Sequence, residues 1–126
     1  PVVSTVTPSG GAADVFLNVN ADMAVGPLAA AWRADAVLFL SDVPHVKDGD
    51  ARIASLDAEA TSRLVDAGVI AGGMIPKVEA ALAAADALPT AAVKIATGSG
   101  DDPIAAALDP GLGTTVTTCK EEIGRG

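Results

Sequence analysis

Apolar residues recur along this chain with two periods, one typical of strands and one typical of helices. Residues 1–6 alternate β-branched and small side chains, which predicts a strand. Turn-forming residues follow at 8–11, and residues 15–19 form the returning strand of a hairpin. The run 36–40 is apolar on both faces, which favours a central strand of a parallel sheet. Further strands are predicted at residues 52–56, at 92–96 and, after a turn, within 111–118.

Four segments combine apolar residues at helical spacing with residues that start or stop a helix. Asn20 is the predicted N-cap of a helix over residues 21–32, in which Pro27 removes one backbone hydrogen bond and favours a kink. Asp57 caps a second helix that ends at Gly68. The other two helices are predicted from residue 74 or 75 to 88, with Pro76 in the first turn, and over residues 103–108.

The alternation of strands and helices predicts one α/β unit over residues 1–118, followed by a polar tail over 119–126. Right-handed crossovers then imply a mostly parallel sheet with helices on both faces, which is a three-layer sandwich. A chain of 126 residues suits a single domain.

Charge and composition exclude several classes of function. The formal net charge is −8, and the eight basic residues are scattered singly, so no nucleic-acid partner is expected. The longest apolar stretch, at 80–85, ends at Asp86 and is far shorter than the roughly 18–20 residues of a membrane span. Cys119 is the only cysteine, which excludes a disulfide scaffold. His45 is the only histidine; we expect no metal site and assign it no catalytic role.

The first residue, Pro1, lies in a predicted strand, and no initiator methionine precedes it. We therefore expect the chain to have been cut from a longer protein. The N-terminus shows neither the charged head nor the cleavage site of a signal peptide, and the expected location is cytoplasmic.

Ligands of α/β sheets bind beyond the carboxyl ends of strands, where loops meet helix N-termini. The first such segment is 18–22, in which strand alternation places Asn18 and Asn20 on one side and Asp22 follows in the first helical turn. These side chains suit a polar ligand or the orientation of cations. The alternative is that Asn20 and Asp22 only cap the helix and complement its dipole.

The second segment, 41–46, directly follows the most apolar strand. Its position makes it a candidate loop for a base, ribose or phosphate. The alternative is an ordinary connection, since Asp and Pro are common turn residues.

The third segment, 72–77, places Gly72 and Gly73 before a helix N-terminus and Lys77 in its first turn. Free backbone N–H groups and an ammonium group suit an anion, and a cation at this end opposes the helix dipole unless an anion lies between them. A surface lysine after a flexible turn is the alternative. The spacing is not that of a Walker A loop.

In order and spacing, four motifs resemble those of the amino-acid kinase family, within it the branch that phosphorylates N-acetyl-L-glutamate. They are Asn-Val-Asn-Ala-Asp at 18–22, Leu-Phe-Leu-Ser-Asp-Val-Pro at 38–44, Gly-Gly-Met-Ile-Pro-Lys-Val-Glu-Ala-Ala-Leu at 72–82 and Gly-Leu-Gly-Thr-Thr-Val at 111–116. The resemblance covers nearly all of 1–118. It corresponds to the carboxyl-terminal, nucleotide-binding half of such an enzyme, and therefore implies a partial fold that lacks the amino-terminal lobe.

The resemblance also implies roles for individual residues. Lys77 would stabilise charge on the transferred γ-phosphoryl group, and Asp22 would hold the catalytic lysines in place. Asn18 would contact the acyl amino acid across the cleft, with Asn20 on the same side. The nucleotide would lie between two walls, formed by Ser41, Asp42, Val43 and Val46 on one side and by Gly72, Gly73 and Met74 on the other.

The implied reaction transfers phosphate from ATP to a side-chain carboxylate and forms an acyl phosphate in arginine biosynthesis, with Mg²⁺ held mainly by the nucleotide phosphates. Such an enzyme is expected to be a homo-oligomer, and this half alone is expected to be inactive. A sister kinase for an aminoadipate-type substrate and a non-catalytic nucleotide-binding module remain as alternatives. Pro27 and His45 depart from the family pattern. We expect Pro27 to shift the start of its helix and His45 to alter the adenosine loop.

Overall fold

The computed structural model describes residues 2–11 and 15–118, and the predicted tail over 119–126, with Cys119, lies outside the described residues. The chain begins with a two-stranded hairpin, β1 (Val6–Pro8) and β2 (Phe16–Asn18), followed by helix α1 (Ala21–Trp32) and strand β3 (Ala36–Ser41). Three two-residue strands come next: β4 (Lys47–Asp48), β5 (Ala51–Arg52) and β6 (Ser55–Leu56). Helices α2 (Ala58–Asp66) and α3 (Met74–Ala87), strand β7 (Ala92–Thr97), helix α4 (Pro103–Leu108) and strand β8 (Thr114–Val116) complete the chain.

The main sheet is mixed: two of its three described strand pairings are parallel, as predicted, and one is antiparallel. Its four strands lie in the order β3-β7-β8-β6. β3 and β7 are parallel, as are β6 and β8, but β7 and β8 run antiparallel. β8 runs antiparallel to β7 because the connection through α4 and a short loop brings the chain back alongside β7.

Three sequence predictions change in detail. Within the described part of the chain, β3 lies at one end of the sheet and pairs only with β7, so it is an edge strand there despite its apolar sequence. The first strand begins at Val6 rather than at residue 1. The segment between β3 and the strand predicted at 52–56 contains β4, which pairs with β5 in a small antiparallel ribbon.

The sheet is covered on both faces, which confirms the α/β layered class. Val93 and Ile95 of β7 are fully buried in one cluster with α3 residues such as Ala81. Because side chains alternate along a strand, Lys94 and Ala96 point to the opposite face. Helix α4 packs there against β7 and β3.

Side-chain caps begin three of the four helices. Asn20 Oδ1 accepts from the backbone N–H groups of Asp22 and Met23, at 2.9 and 3.4 Å. Asp57 caps α2 in the same way, at 2.7 Å from the N–H of Ala60. α1 begins at Ala21 and continues through Pro27 to Trp32, so the expectation that Pro27 shifts the helix start is wrong.

Two cations hold the loop that leads into β8. The Lys94 ammonium group, on a residue only 4% exposed, donates to the backbone carbonyls of Asp109 and Leu112. Arg52 donates through Nε to the carbonyl of Gly113 at 2.7 Å and through a terminal nitrogen to that of Pro110 at 3.2 Å. The carbonyls of this turn therefore receive charged donors instead of a regular ladder.

The Lys94→Met variant is expected to lower the free energy of unfolding by about 1–3 kcal/mol at neutral pH, because two carbonyls lose a charged donor. Burial, and secondarily the nearby charge of Arg52, lowers the pKa of Lys94, while the Asp109 carboxylate opposes the shift. At pH values between the lowered pKa of Lys94 in the folded chain and the ordinary pKa of lysine, the unfolded chain binds more protons than the folded chain. The contribution of Lys94 to stability therefore rises with pH. Urea unfolding of both proteins at neutral and alkaline pH should show a difference that widens; a constant or narrowing difference contradicts this account.

Candidate functional site

The first turns of α1 and α3 meet in an ion pair. Lys77 Nζ lies 3.1 Å from Asp22 Oδ1 and 3.3 Å from Oδ2, and both side chains are partly buried. The two positive helix ends lie side by side here, so the field favours an anion, and the ammonium group adds to it. The Asp22 carboxylate offsets part of this positive charge and fixes the position of Lys77.

The local sequence accounts for the shape of the α3 N-terminus beside this ion pair. Gly72 adopts a φ of +59°, which glycine tolerates, and Gly73 is the N-cap of α3. A Cβ atom at either glycine would meet open space, so the approach to the helix end is unobstructed. Among residues 2–11 and 15–118 no side chain caps α3, in contrast to Asn20 on α1. The N-terminus of α3 is therefore open to a ligand.

A cavity of about 270 Å³ lies beside the N-terminus of α3, between the segment after β3 and the segment before α3. Six of its lining residues are apolar, which suits a flat, weakly polar group such as a nucleobase. Its walls are formed by Val43, His45, Val46, Lys47, Val69, Ile70, Ala71 and Met74. Met74 is in the first turn of α3, as is Lys77, so the cavity and the ion pair share one helix end.

The structure brings three of the predicted nucleotide-binding residues together in this cavity: Val43, Val46 and Met74. The other four predicted ones do not line it. Ser41 is the last residue of β3 and Asp42 follows it. Ser41 Oγ donates a hydrogen bond to Asp42 Oδ1 at 3.1 Å. Gly72 and Gly73 shape the adjoining turn.

Sequence reasoning missed most of one wall. No role in the site is predicted from the sequence for residues 69–71, but they line the cavity. The available signal was the apolar run Val69-Ile70-Ala71 directly before the glycine pair, which is unusual for an exposed turn.

The two predicted substrate residues lie apart from the cavity. Asn18 ends the exposed strand β2, and Asn20 follows at the helix cap. Since Asn20 Oδ1 is engaged with two backbone N–H groups, the capping interpretation accounts for that oxygen. Asp22 differs, because its carboxylate reaches the other helix.

Within residues 2–11 and 15–118, no three His, Cys, Asp or Glu side chains are grouped closely enough to hold a metal ion. Over the same residues, no helix has the length and apolar character needed to cross a membrane.

Comparison with known proteins identifies the relationship. The family model described as "Amino acid kinase family" matches residues 1–94. The chain belongs to the amino acid kinase family. The match includes three of the four motifs, those at 18–22, 38–44 and 72–82.

Members of this family named acetylglutamate kinase are clearly similar in sequence. The chain is 50% identical over 68 residues to the enzyme of Bacillus velezensis, covering 54% of this chain and 26% of that protein. It is 47% identical over 88 residues to the enzyme of Desulfitobacterium hafniense, covering 67% of this chain and 29% of that protein. The chain thus spans less than a third of the length of these two relatives.

Solved structures confirm a partial fold of this family. A Streptococcus mutans protein, smu.665, superposes with a TM-score of 0.74 and 25% identity, covering 94% of this chain and 43% of that one. Carbamate kinase from Giardia lamblia bound to AMP-PNP superposes with a TM-score of 0.65 and 22% identity, covering 86% of this chain and 40% of that one. The second likeness concerns the fold alone.

Proposed function

We propose that this chain is the nucleotide-binding part of an acetylglutamate kinase. The whole enzyme would transfer the γ-phosphoryl group of MgATP to the side-chain carboxylate of N-acetyl-L-glutamate, in the cytoplasm and as a step of arginine biosynthesis. The observation that carries this proposal is the Lys77–Asp22 ion pair at an open helix N-terminus beside an apolar cavity. The similarity to acetylglutamate kinases supports the choice of acceptor.

In this proposal the adenine base enters the cavity, between Val46 on one side and Met74 on the other. The phosphates then extend along the opening of α3, where backbone dipoles and the Lys77 ammonium group favour negative charge. Mg²⁺ would be held mainly by the nucleotide's phosphates.

The proposed chemistry requires positioning and positive charge more than it requires a base. A carboxylate is already a competent nucleophile, so no proton has to be removed before it attacks the γ-phosphorus atom. Lys77 would stabilise the charge on the phosphoryl oxygens, and Asp22 would hold Lys77 in place. Asn18 and Asn20, near the start of α1, would face the acyl amino acid.

Binding without turnover is what we propose for this chain by itself. Its cavity and ion pair would hold the nucleotide, but it spans less than a third of its relatives' length. The hairpin of β1 and β2 exposes large apolar side chains, including Phe16 at 66% and Leu17 at 52%. Such a surface would suit an amino-terminal lobe of the whole enzyme or a second copy, and self-association is expected.

Isothermal calorimetry with MgATP tests the proposal. We expect a dissociation constant above about 1 µM, equivalent to roughly −8 kcal/mol or less favourable. Ala71 is exposed and lines the cavity, so Ala71→Trp should fill the cavity and abolish binding. Ala67→Trp is the matched control, because Ala67 is also exposed but does not line the cavity. Equal binding by both variants would place the nucleotide elsewhere.

A further inference from the structure

One wall of the cavity is held by a closed ring of three hydrogen bonds. The carbonyl of Val46 accepts from the N–H of Ile53 at 2.9 Å. The N–H of Val46 donates to Oγ1 of Thr114 at 2.9 Å, and the Thr114 hydroxyl donates to the carbonyl of Ile53 at 2.7 Å. The Val46 and Thr114 side chains are both almost completely buried.

The ring shows that a side chain interrupts a backbone ladder. β4 and β5 are antiparallel, with Lys47 opposite Arg52, so Val46 and Ile53 form the next pair outward. In a regular ladder such a pair exchanges two N–H···O=C bonds. Here one of the two is present, and the Thr114 hydroxyl is inserted in place of the other. The inserted oxygen holds the two strands apart at this pair.

Thr114 is held in place by the main sheet. It is paired with Ile95 of β7, and the preceding residue, Gly113, has a φ of +70° and a carbonyl bound by Arg52 at 2.7 Å. The hydroxyl is therefore placed by the main sheet, whereas Val46 belongs to the loop that leaves β3. The hydrogen bond from the Val46 N–H to the Thr114 hydroxyl therefore fixes the cavity wall relative to the sheet.

We propose that Thr114 is a positioning residue for the nucleotide: its hydroxyl sets the separation of Val46 and Ile53 and thereby the position of the wall that contacts the base. This inference rests on the proposed function, since it takes the cavity to be the base site. Without the hydroxyl, the Val46 N–H and the Ile53 carbonyl either close directly on each other, which moves Val46, or lose their partner, so that the position of Val46 is no longer fixed.

Three variants and two ligands test the role of Thr114. Thr114→Val keeps the shape of the side chain but removes both hydrogen bonds, whereas Thr114→Ser retains the hydroxyl. Thr115→Val is the matched control, because it removes a hydroxyl from the next residue of the same strand. We expect Thr114→Val to weaken MgATP binding about tenfold or more, and the other two variants to bind within about twofold of the wild-type chain.

Magnesium tripolyphosphate separates positioning of the base from a general loss of structure. It lacks a base, so its affinity should be unchanged in Thr114→Val, whereas a merely structural defect would weaken both ligands. Amide hydrogen exchange gives a readout without ligand, and Val46 should be protected in the wild-type chain and in Thr114→Ser. If Thr114→Val does not fold, an unprotected Val46 amide in the wild-type chain overturns the inference, as does weakened MgATP binding by Thr114→Ser.

The two proposals fail in different ways. Wild-type chain that binds no MgATP contradicts the proposed function. Wild-type chain that binds MgATP, together with a Thr114→Val variant of unchanged affinity, contradicts only the positioning role of Thr114.

Discussion

Lys77→Ala is expected to weaken MgATP binding by roughly 10- to 100-fold, the range that follows from losing a charged hydrogen bond of about 1.5–3 kcal/mol. MgADP should be weakened much less, because the proposed partner of the ammonium group is the γ-phosphate. The variant also leaves the Asp22 carboxylate without its 3.1 Å partner, beside the proposed site of the phosphates. Repulsion between this carboxylate and the nucleotide adds to the loss.

Calorimetric titrations with both nucleotides measure the effect. Arg63→Ala is the control, since it removes one positive charge from the exposed side of α2 without touching the cavity or the ion pair. Equal weakening of MgATP and MgADP by Lys77→Ala would contradict a role at the terminal phosphate. A comparable loss in Arg63→Ala would mean that only net charge matters.

Gly113→Ala is expected to lower the free energy of unfolding by about 2–4 kcal/mol, the largest stability effect of any substitution discussed for this chain. Gly113 has a φ of +70°, and a Cβ atom there would lie 2.8 Å from the backbone oxygen of Ile95. That oxygen belongs to β7, in the middle of the sheet, and cannot move without disturbing the core.

Urea unfolding followed by circular dichroism measures this change. Gly73→Ala is the matched control: Gly73 has a φ of −67°, and a Cβ atom there meets nothing within 4 Å. The control should change stability by less than about 1 kcal/mol. A Gly113→Ala variant as stable as the control would show that the loop before β8 adapts, and that its observed conformation is not required.

Much of the fold could be predicted because its signals are local. Asn20 and Asp57 begin helices through bonds to N–H groups two or three residues away. The turn at 8–11 implies a hairpin between its flanking strands, and β1 and β2 do pair antiparallel. The strand at 36–41 was also predicted from its apolar run, but its place at the edge of the described sheet was not, because strand order is set by partners distant in the chain.

The candidate site shows the same division between local and distant contacts. The motifs around Asp22 and Lys77 mark the two helix starts, and their proximity then follows from how α1 packs on α3. The place of residues 69–71 on the cavity wall could not be predicted, because it depends on which distant residues they face. Lys94 likewise fits a strand pattern, and nothing local indicates that it binds the carbonyls of a later loop.

The amino-acid sequence by itself determined where most of the helices begin, the α/β class, and the family to which the chain belongs. These depend on caps, turns and periodicities that act over a few residues. Only the tertiary structure decided the mixed strand directions, the hydrogen bonds from Lys94 and Arg52 to the carbonyls of the loop before β8, and the insertion of the Thr114 hydroxyl between Val46 and Ile53. Those features depend on hydrogen bonds between residues as many as 68 positions apart, whose geometry is set only when the sheet assembles.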